Sequence, residues 1–261
     1  MRVKIYQINM DRDAGNVKFM GTDARKSLHL KEAVDPSIYD EVFNAEIKET
    51  DPEDIYRRFN TEGHPLHRGH SLSVSDVVVT DQGAYFCDSI GFKKIPFDES
   101  KTQKPENLMR VVYVEPGEKP YTAEILHTLQ AEQKAVGGLI EPIYNEDDTI
   151  LVGNEESKLM GMQGNRRIGD GSSIIAGPFF VCGDIGEDFR SLTDAEVDKY
   201  MDRFAEPEDI TDEEVQNDMG FRFYFGMMQR RKSQCQQKPI FQQESTVWWI
   251  RPTARSRQLP A

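Results

Sequence analysis

The sequence is poor in cysteine and tryptophan, with three of the first and two of the second in 261 residues. Cys87, Cys182 and Cys235 lie far apart and form no Cys-x-x-Cys pair, which excludes a disulfide framework and a zinc ribbon and suits a reducing compartment. Long apolar runs are missing as well. No stretch approaches the ~18 residues needed to cross a bilayer, and the opening Met-Arg-Val-Lys-Ile-Tyr-Gln-Ile has no signal-peptide core and reads as a strand. A cytoplasmic location without membrane contact is the expectation. Positive charge is in deficit: 32 Lys and Arg stand against 45 Asp and Glu, for a net charge of −13. General nucleic-acid binding is thereby disfavoured, since most of the surface would repel phosphate. Basic protein surfaces, or nucleic acid met through a local basic patch, stay open as partners.

What is present is enough apolar sequence for a core, at 38% hydrophobic residues. Val3, Ile5, Tyr6 and Ile8 form an opening strand, and Val17 to Met20 reads as a short second one. A helical turn fits Ala24 to Leu30. Asp51-Pro52 starts a helix, with Asp51 as N-cap, Pro52 at the first helical position, and Ile55, Tyr56 and Phe59 on one face. Leu72 to Val79, the turn Thr80-Asp81-Gln82-Gly83, and Tyr85 to Cys87 read as a β-hairpin. Asp98 to Asn107 has no apolar pattern and reads as a linker. Beyond it come a strand over Leu108 to Val114 and a helix over Tyr121 to Val136, stopped by Gly137-Gly138. A hairpin follows, with its turn at Asn145 to Asp148. Ser157 to Gly171 reads as loop, and Ser172 to Cys182 as one strand interrupted by Gly177-Pro178. Thr193 with Glu196, and Thr211 with Glu214, are capping boxes opening two acidic helices. From Met219 onward eight basic residues face the single acid Glu244, among them Arg230, Arg231 and Lys232. That tail admits two readings, a basic arm touching nucleic acid or an appendage without a core.

Two stretches carry resemblances. GHSLSVSDVV at 69–78 followed by YFCDSIGF at 85–92 resembles the YodL-like domain, found mainly in proteins of conjugative elements and related mobile DNA. This resemblance favours a strand for Tyr39 to Ile47, which periodicity alone fits to helix or strand. VVYVEPG at 111–117, VGGLIEPIY at 136–144, the Asn165 loop and the run 174–196 resemble a second domain, of the domain-of-unknown-function family 3846 type, carried by phages and conjugative elements. Neither resemblance brings a catalytic residue with it. The implied organisation is a YodL-like domain over 1–98, a linker over 99–109, a second domain over 110–205, and a helix with basic tail over 206–261. The expected fold class is α+β: two small mixed or antiparallel-sheet domains, each with one or two helices, then acidic helices and the tail.

Several residue groups invite a chemical reading. His64, His67 and His70 are three apart, with Asp76 and Cys87 farther on, and three imidazoles suit an open zinc site. Pro65 and Gly69 make the stretch a loop, however, and a surface loop with one engaged histidine is the plainer reading. Ser71, Ser73, Ser75 and Asp76 suggest a hydrolase, but no Gly-x-Ser-x-Gly elbow is present. In a strand those serines would share one face and bond neighbouring backbone. Asp76 and Asp88 are candidate paired carboxylates across the hairpin for acid/base work, against structural bonding to turn amides. Gly161 to Gly171, with Asn165, Arg166 and Arg167, is the most ligand-like loop, because glycines admit close approach and the arginines can grip a phosphate. It lacks the Gly-Lys-Ser/Thr ending of a P-loop. The acidic run 184–218 has no EF-hand spacing.

No catalytic constellation is complete and no cofactor is implied. The sequence therefore leads to a non-enzymatic accessory protein of a mobile element that acts by binding, blocking a host or element-encoded protein or sequestering a nucleotide signal. A metal-dependent hydrolase or nuclease using His64 to His70, Asp76 and Asp88 is the first alternative. A DNA-binding regulator acting through the tail is the second.

Overall fold

Strands in the first half form wherever apolar residues can be buried on alternate positions, and turns carry the rest. In a computed structural model, which describes residues 1–219 apart from 31–32, 145–146, 170 and 187, the elements run β1 (Arg2–Ile8), α1 (Thr22–Ser27), β2 (Tyr39–Glu46), α2 (Pro52–Thr61), β3 (Val77–Thr80), β4 (Gly83–Cys87) and β5 (Phe92–Ile95). They make one antiparallel sheet in the order β2-β1-β3-β4-β5. The second half adds β6 (Leu108–Val114), β7 (Tyr121–Leu126), α3 (Leu129–Val136), β8 (Ile140–Tyr144), β9 (Thr149–Asn154), β10 (Gly164–Ile168), β11 (Ser173–Ala176), β12 (Phe179–Asp184), β13 (Phe189–Arg190) and α4 (Asp194–Arg203), then a helix at 212–219. Its main sheet is β7-β6-β12-β9-β8, with β13 beside β12 and β10-β11 as a separate ribbon. The fold is α+β with antiparallel sheets. No helix among the described residues is long and apolar enough to cross a membrane.

The strands β6, β9 and β12 are almost continuously apolar because both faces of their sheet are covered. Alternate residues divide between two cores. Val111, Tyr113, Ile150, Val152, Phe180 and Cys182 join one with Val3, Ile5, Phe43, Ile55, Phe59 and Val78 of the first half. Val112, Val114, Leu151, Phe179 and Val181 face Val197, Tyr200 and Phe204 on and beside α4. The first of these cores is therefore shared by the two halves. The linker is fastened too: Glu99 accepts from Lys4 at 2.8 Å and Tyr6 at 2.5 Å, and Gln103 bonds the backbone of Tyr39 and Glu41. Residues 1–219 form one compact unit. The basic tail, Cys235, and the turn residues Asn145 and Glu146 lie outside the described residues.

Four local expectations are corrected. Val17 to Met20 is a turn, because Asp13 accepts the Val17 and Lys18 amides and Ser75 Oγ accepts that of Phe19. The helix expected over Tyr121 to Val136 is half strand. Tyr121, Ala123 and Ile125 are buried by period two, and Thr128 caps a helix that begins only at Leu129. Within the expected Ser157 to Gly171 loop, β10 pairs with β11. The single strand over Ser172 to Cys182 breaks into β11 and β12, because Gly177 takes φ +73° and turns the chain between two sheets. The helix starts hold: Asp51 accepts the Glu53 amide, and the Thr193–Glu196 and Thr211–Glu214 boxes both close.

Candidate functional site

The stretch from His64 to Asp76 leaves α2, runs across the edge of β2, and enters β3. Its residues split into a joint and a plug. At the joint, His64 and His67 are buried among Phe43 and Phe59. Burial, with nearby cations, lowers their pKa values to about 3 and about 4, so both rings are neutral. His64 Nδ1 accepts the Leu66 amide at 3.1 Å, which leaves the proton on Nε2, directed at Tyr121 Oη at 3.5 Å. The Tyr121 hydroxyl donates to Glu115 Oε2 at 3.0 Å. Lys134 Nζ donates to the His67 carbonyl at 2.5 Å. Arg68 Nη1 and Arg2 Nη1 reach the Glu124 and Thr122 carbonyls, two residues apart on the edge strand β7. The loop thus seams the first sheet to the second. Among the described residues no group of three or more His, Cys, Asp or Glu is placed to hold a metal ion.

The plug is built on Gln7 of β1. Its Nε2 donates to the His70 carbonyl at 2.8 Å and Asp76 Oδ2 at 2.9 Å, and its Oε1 accepts the His70 amide at 3.0 Å. With both amide protons so used, His70 Nδ1 donates to the Ser71 carbonyl at 2.7 Å. Gly69 is required by this approach, since a Cβ there would lie 2.1 Å from Gln7 Oε1. Asp76 Oδ2 also accepts the Ser73 amide, while Oδ1 is buried without a partner. Burial raises the Asp76 pKa to about 7. Ser71 to Asp76 is therefore a loop and not a period-two strand. Ser75 holds φ +83°, with its carbonyl on Tyr39 Oη and its Oγ on the Phe19 amide. Asp88 belongs to a different network: it accepts from Thr22, Lys93 and the Ser89 amide. Burial raises its pKa, but these bonds outweigh that and hold it below the usual carboxylate range. Asp76 and Asp88 share no hydrogen bond or ligand space.

Asn165, Arg166 and Arg167 are also turned inward. Asn165 donates to the Val114 and Gly177 carbonyls at 3.0 and 2.8 Å. Arg166, 1% exposed, bonds the Asn165 carbonyl and Oδ1 through Nη1, and the Glu118 and Phe204 carbonyls through Nη2 at 2.7 and 3.0 Å. Its charge sits at the C-terminal end of α4, where the helix dipole favours a cation. Arg167 pairs with Glu208 at 2.7 Å and Glu214 at 2.6 Å. The two arginines tie the acidic segment after α4 to the β10–β11 ribbon, and neither is offered to a phosphate.

Open space lies beside the joint and beside α4. A cleft of about 430 Å³ opens over the joint, lined by Lys48, Arg58, Glu115, Lys119, Tyr121 and Gln163 among others. Another, of about 440 Å³, lies between α4 and the β10–β11 hairpin and includes Lys199, Tyr200 and Arg203. Sequence reasoning missed Gln7, Glu115 and Tyr121. Gln7 carries the one polar side chain between buried Tyr6 and Ile8, and Glu115 follows an apolar strand directly. Those are the signals that were there to find.

The two antiparallel sheets, joined through a histidine loop and carrying few helices, place the chain among α+β proteins. Within that class it carries a YodL-like domain, matched over residues 2–97, followed by a domain of unknown function (DUF3846), matched over residues 109–205. No curated protein and no solved structure matches the chain.

Proposed function

We propose that this is a non-enzymatic accessory protein of a mobile genetic element, which acts by binding and blocking a host or element-encoded protein. The observation that carries this reading is that the histidines, carboxylates and arginines singled out in the sequence are engaged by neighbouring groups of the fold. His64 and His67 form the joint, His70 and Asp76 the plug, Asp88 a turn, and Arg166 and Arg167 the tie to the acidic helices. What the surface offers instead is charge, clefts and exposed apolar side chains such as Ile90 and Leu159. The net charge of −13 favours a basic partner. The hydrolase alternative needs Asp76, Asp88 and the histidines to converge; His70 and Asp76 meet in the plug, whereas His64 and His67 belong to the joint and Asp88 to a third network.

A second reading, capture of a nucleotide-sized anion, is carried by the cleft beside α4. There Lys199, which pairs with Asp147 of the same cleft, and Arg203 stand one helical turn apart, and Arg203 lies over the Tyr200 and Phe204 rings. Native mass spectrometry of the chain purified from host extract, with and without a nucleotide pool, tests both. The protein-partner reading expects stoichiometric retention of a macromolecule and no nucleotide adduct. An adduct lost in Lys199→Ala/Arg203→Ala, with no macromolecule retained, overturns it in favour of the anion.

A further inference from the structure

The cleft over the joint is lined by three acids, Glu46, Glu115 and Glu118, and three cations, Lys48, Arg58 and Lys119, and the way they pair identifies a ligand chemistry. Two of its cations already have acids of their own: Lys48 pairs with Glu118 at 2.5 Å, and Arg58 pairs with Glu49 through both carboxylate oxygens at 3.0 and 3.2 Å. Glu115 has none. Its carboxyl receives one hydrogen bond, from the neutral Tyr121 hydroxyl, and the only cationic-type side chain within ion-pair distance among the described residues is the His64 ring at 3.9 Å, which is neutral. The Glu115 side chain keeps 25% of its surface open and lines the cleft. We propose that the cleft receives a guanidinium or primary ammonium group, with Glu115 as its counter-charge and the Tyr121 hydroxyl fixing the carboxylate's orientation.

This inference rests on the binding reading above and gives it a chemistry. A carboxylate half-buried without a cation is costly; burial raises the Glu115 pKa, and an entering cation restores the ionised form. Ile47 and Pro116 line the same cleft, where the aliphatic stem of an arginine or lysine can lie. Lys119 is exposed and lines the same cleft. The tautomer of His64 is part of the device: Nε2–H supports the Tyr121 oxygen, and the hydroxyl is thereby left to donate to Glu115.

The test titrates the full chain with N-acetyl-arginine amide and with its neutral isostere, N-acetyl-citrulline amide, followed by NMR of isotope-labelled protein. The arginine compound is expected to bind saturably and to move the Glu115 and Tyr121 amides, and the citrulline compound to bind roughly 30-fold more weakly or worse. Glu115→Gln, which keeps the size of the side chain, is expected to lose a similar factor. Equal binding of the two compounds, or binding of neither, overturns the inference; this comparison uses the unaltered chain and decides the matter even if Glu115→Gln fails to fold. Capture of a macromolecular partner that Glu115→Gln abolishes assigns the cation to that partner, whereas arginine-amide binding with capture unchanged in Glu115→Gln assigns it to a free amine or guanidine. Arginine-amide binding without any captured partner leaves the inference standing and overturns the protein-blocking reading alone.

Discussion

At the scale of single residues, the same chemical type does opposite things according to its partners. Arg166 and Arg167 are neighbours in sequence, yet one is enclosed and the other stands a third exposed. Arg166→Ala leaves the Glu118 and Phe204 carbonyls without their donor and opens a void, so a loss of about 3 kcal/mol or more is expected in denaturant unfolding. Arg167→Ala removes surface ion pairs and is expected to cost under about 1 kcal/mol. Asp76 gives a pH signature. Its folded pKa of about 7 lies above the ordinary 3.8, so the folded state holds the proton more tightly, and stability falls as pH rises from about 4 to about 7. The contribution is on the order of 4 kcal/mol. His64 and His67, lowered to about 3 and about 4 from 6.5, act with the opposite sign between about pH 4 and 6.5. The comparison must therefore be made against Asp76→Asn at each pH. The variant should gain on the unaltered protein as pH rises through this window, and a difference that does not change with pH would contradict the burial assigned to Asp76. Gly69→Ala, which drives a Cβ into Gln7, should cost about 1–3 kcal/mol, and much less in a Gln7→Ala background.

At the scale of elements, caps were legible and periodicities were not always so. Asp51-Pro52, Thr193–Glu196 and Thr211–Glu214 each rest on bonds within four residues, and such local chemistry survives any tertiary context. Tyr121 to Val136 misled because Leu126, Leu129 and Val136 happen to sit at helical spacing, while Tyr121, Ala123 and Ile125 satisfy period two against a sheet that is invisible locally. The serines after His70 misled similarly: their alternation suggests a strand, and Gln7, some sixty residues earlier, makes them a loop. Arg68 shows the same long reach, joining the Glu41 and Glu124 carbonyls of two different sheets. Arg68→Met should cost about 2–3 kcal/mol, because Glu41 is buried beside it and two strand-edge carbonyls lose a charged donor. Unfolding at the unaltered denaturant midpoint would contradict the role given to this residue as a tie between the sheets.

At the scale of the whole molecule, two domains recognisable in sequence share one core. Composition, fold class and the order of the two domains were readable from 261 residues; the shared core was not, because it depends on β2 meeting β7 across seventy-four residues of intervening chain. The candidate site was readable only in part. The histidine loop drew notice for its spacing, but its use as a joint needs Tyr121 and Glu115, which no motif connects to it. Hydrogen exchange with mass spectrometry, across a series of subdenaturing guanidinium concentrations, tests the joint most directly. Amides of β1 and of β6 should exchange through the same opening, with equal free energies and equal denaturant dependence. If β1 opens at markedly lower free energy while β6 stays protected, the His64 to Arg68 loop does not hold the two sheets together, and the cleft above it is not a built site.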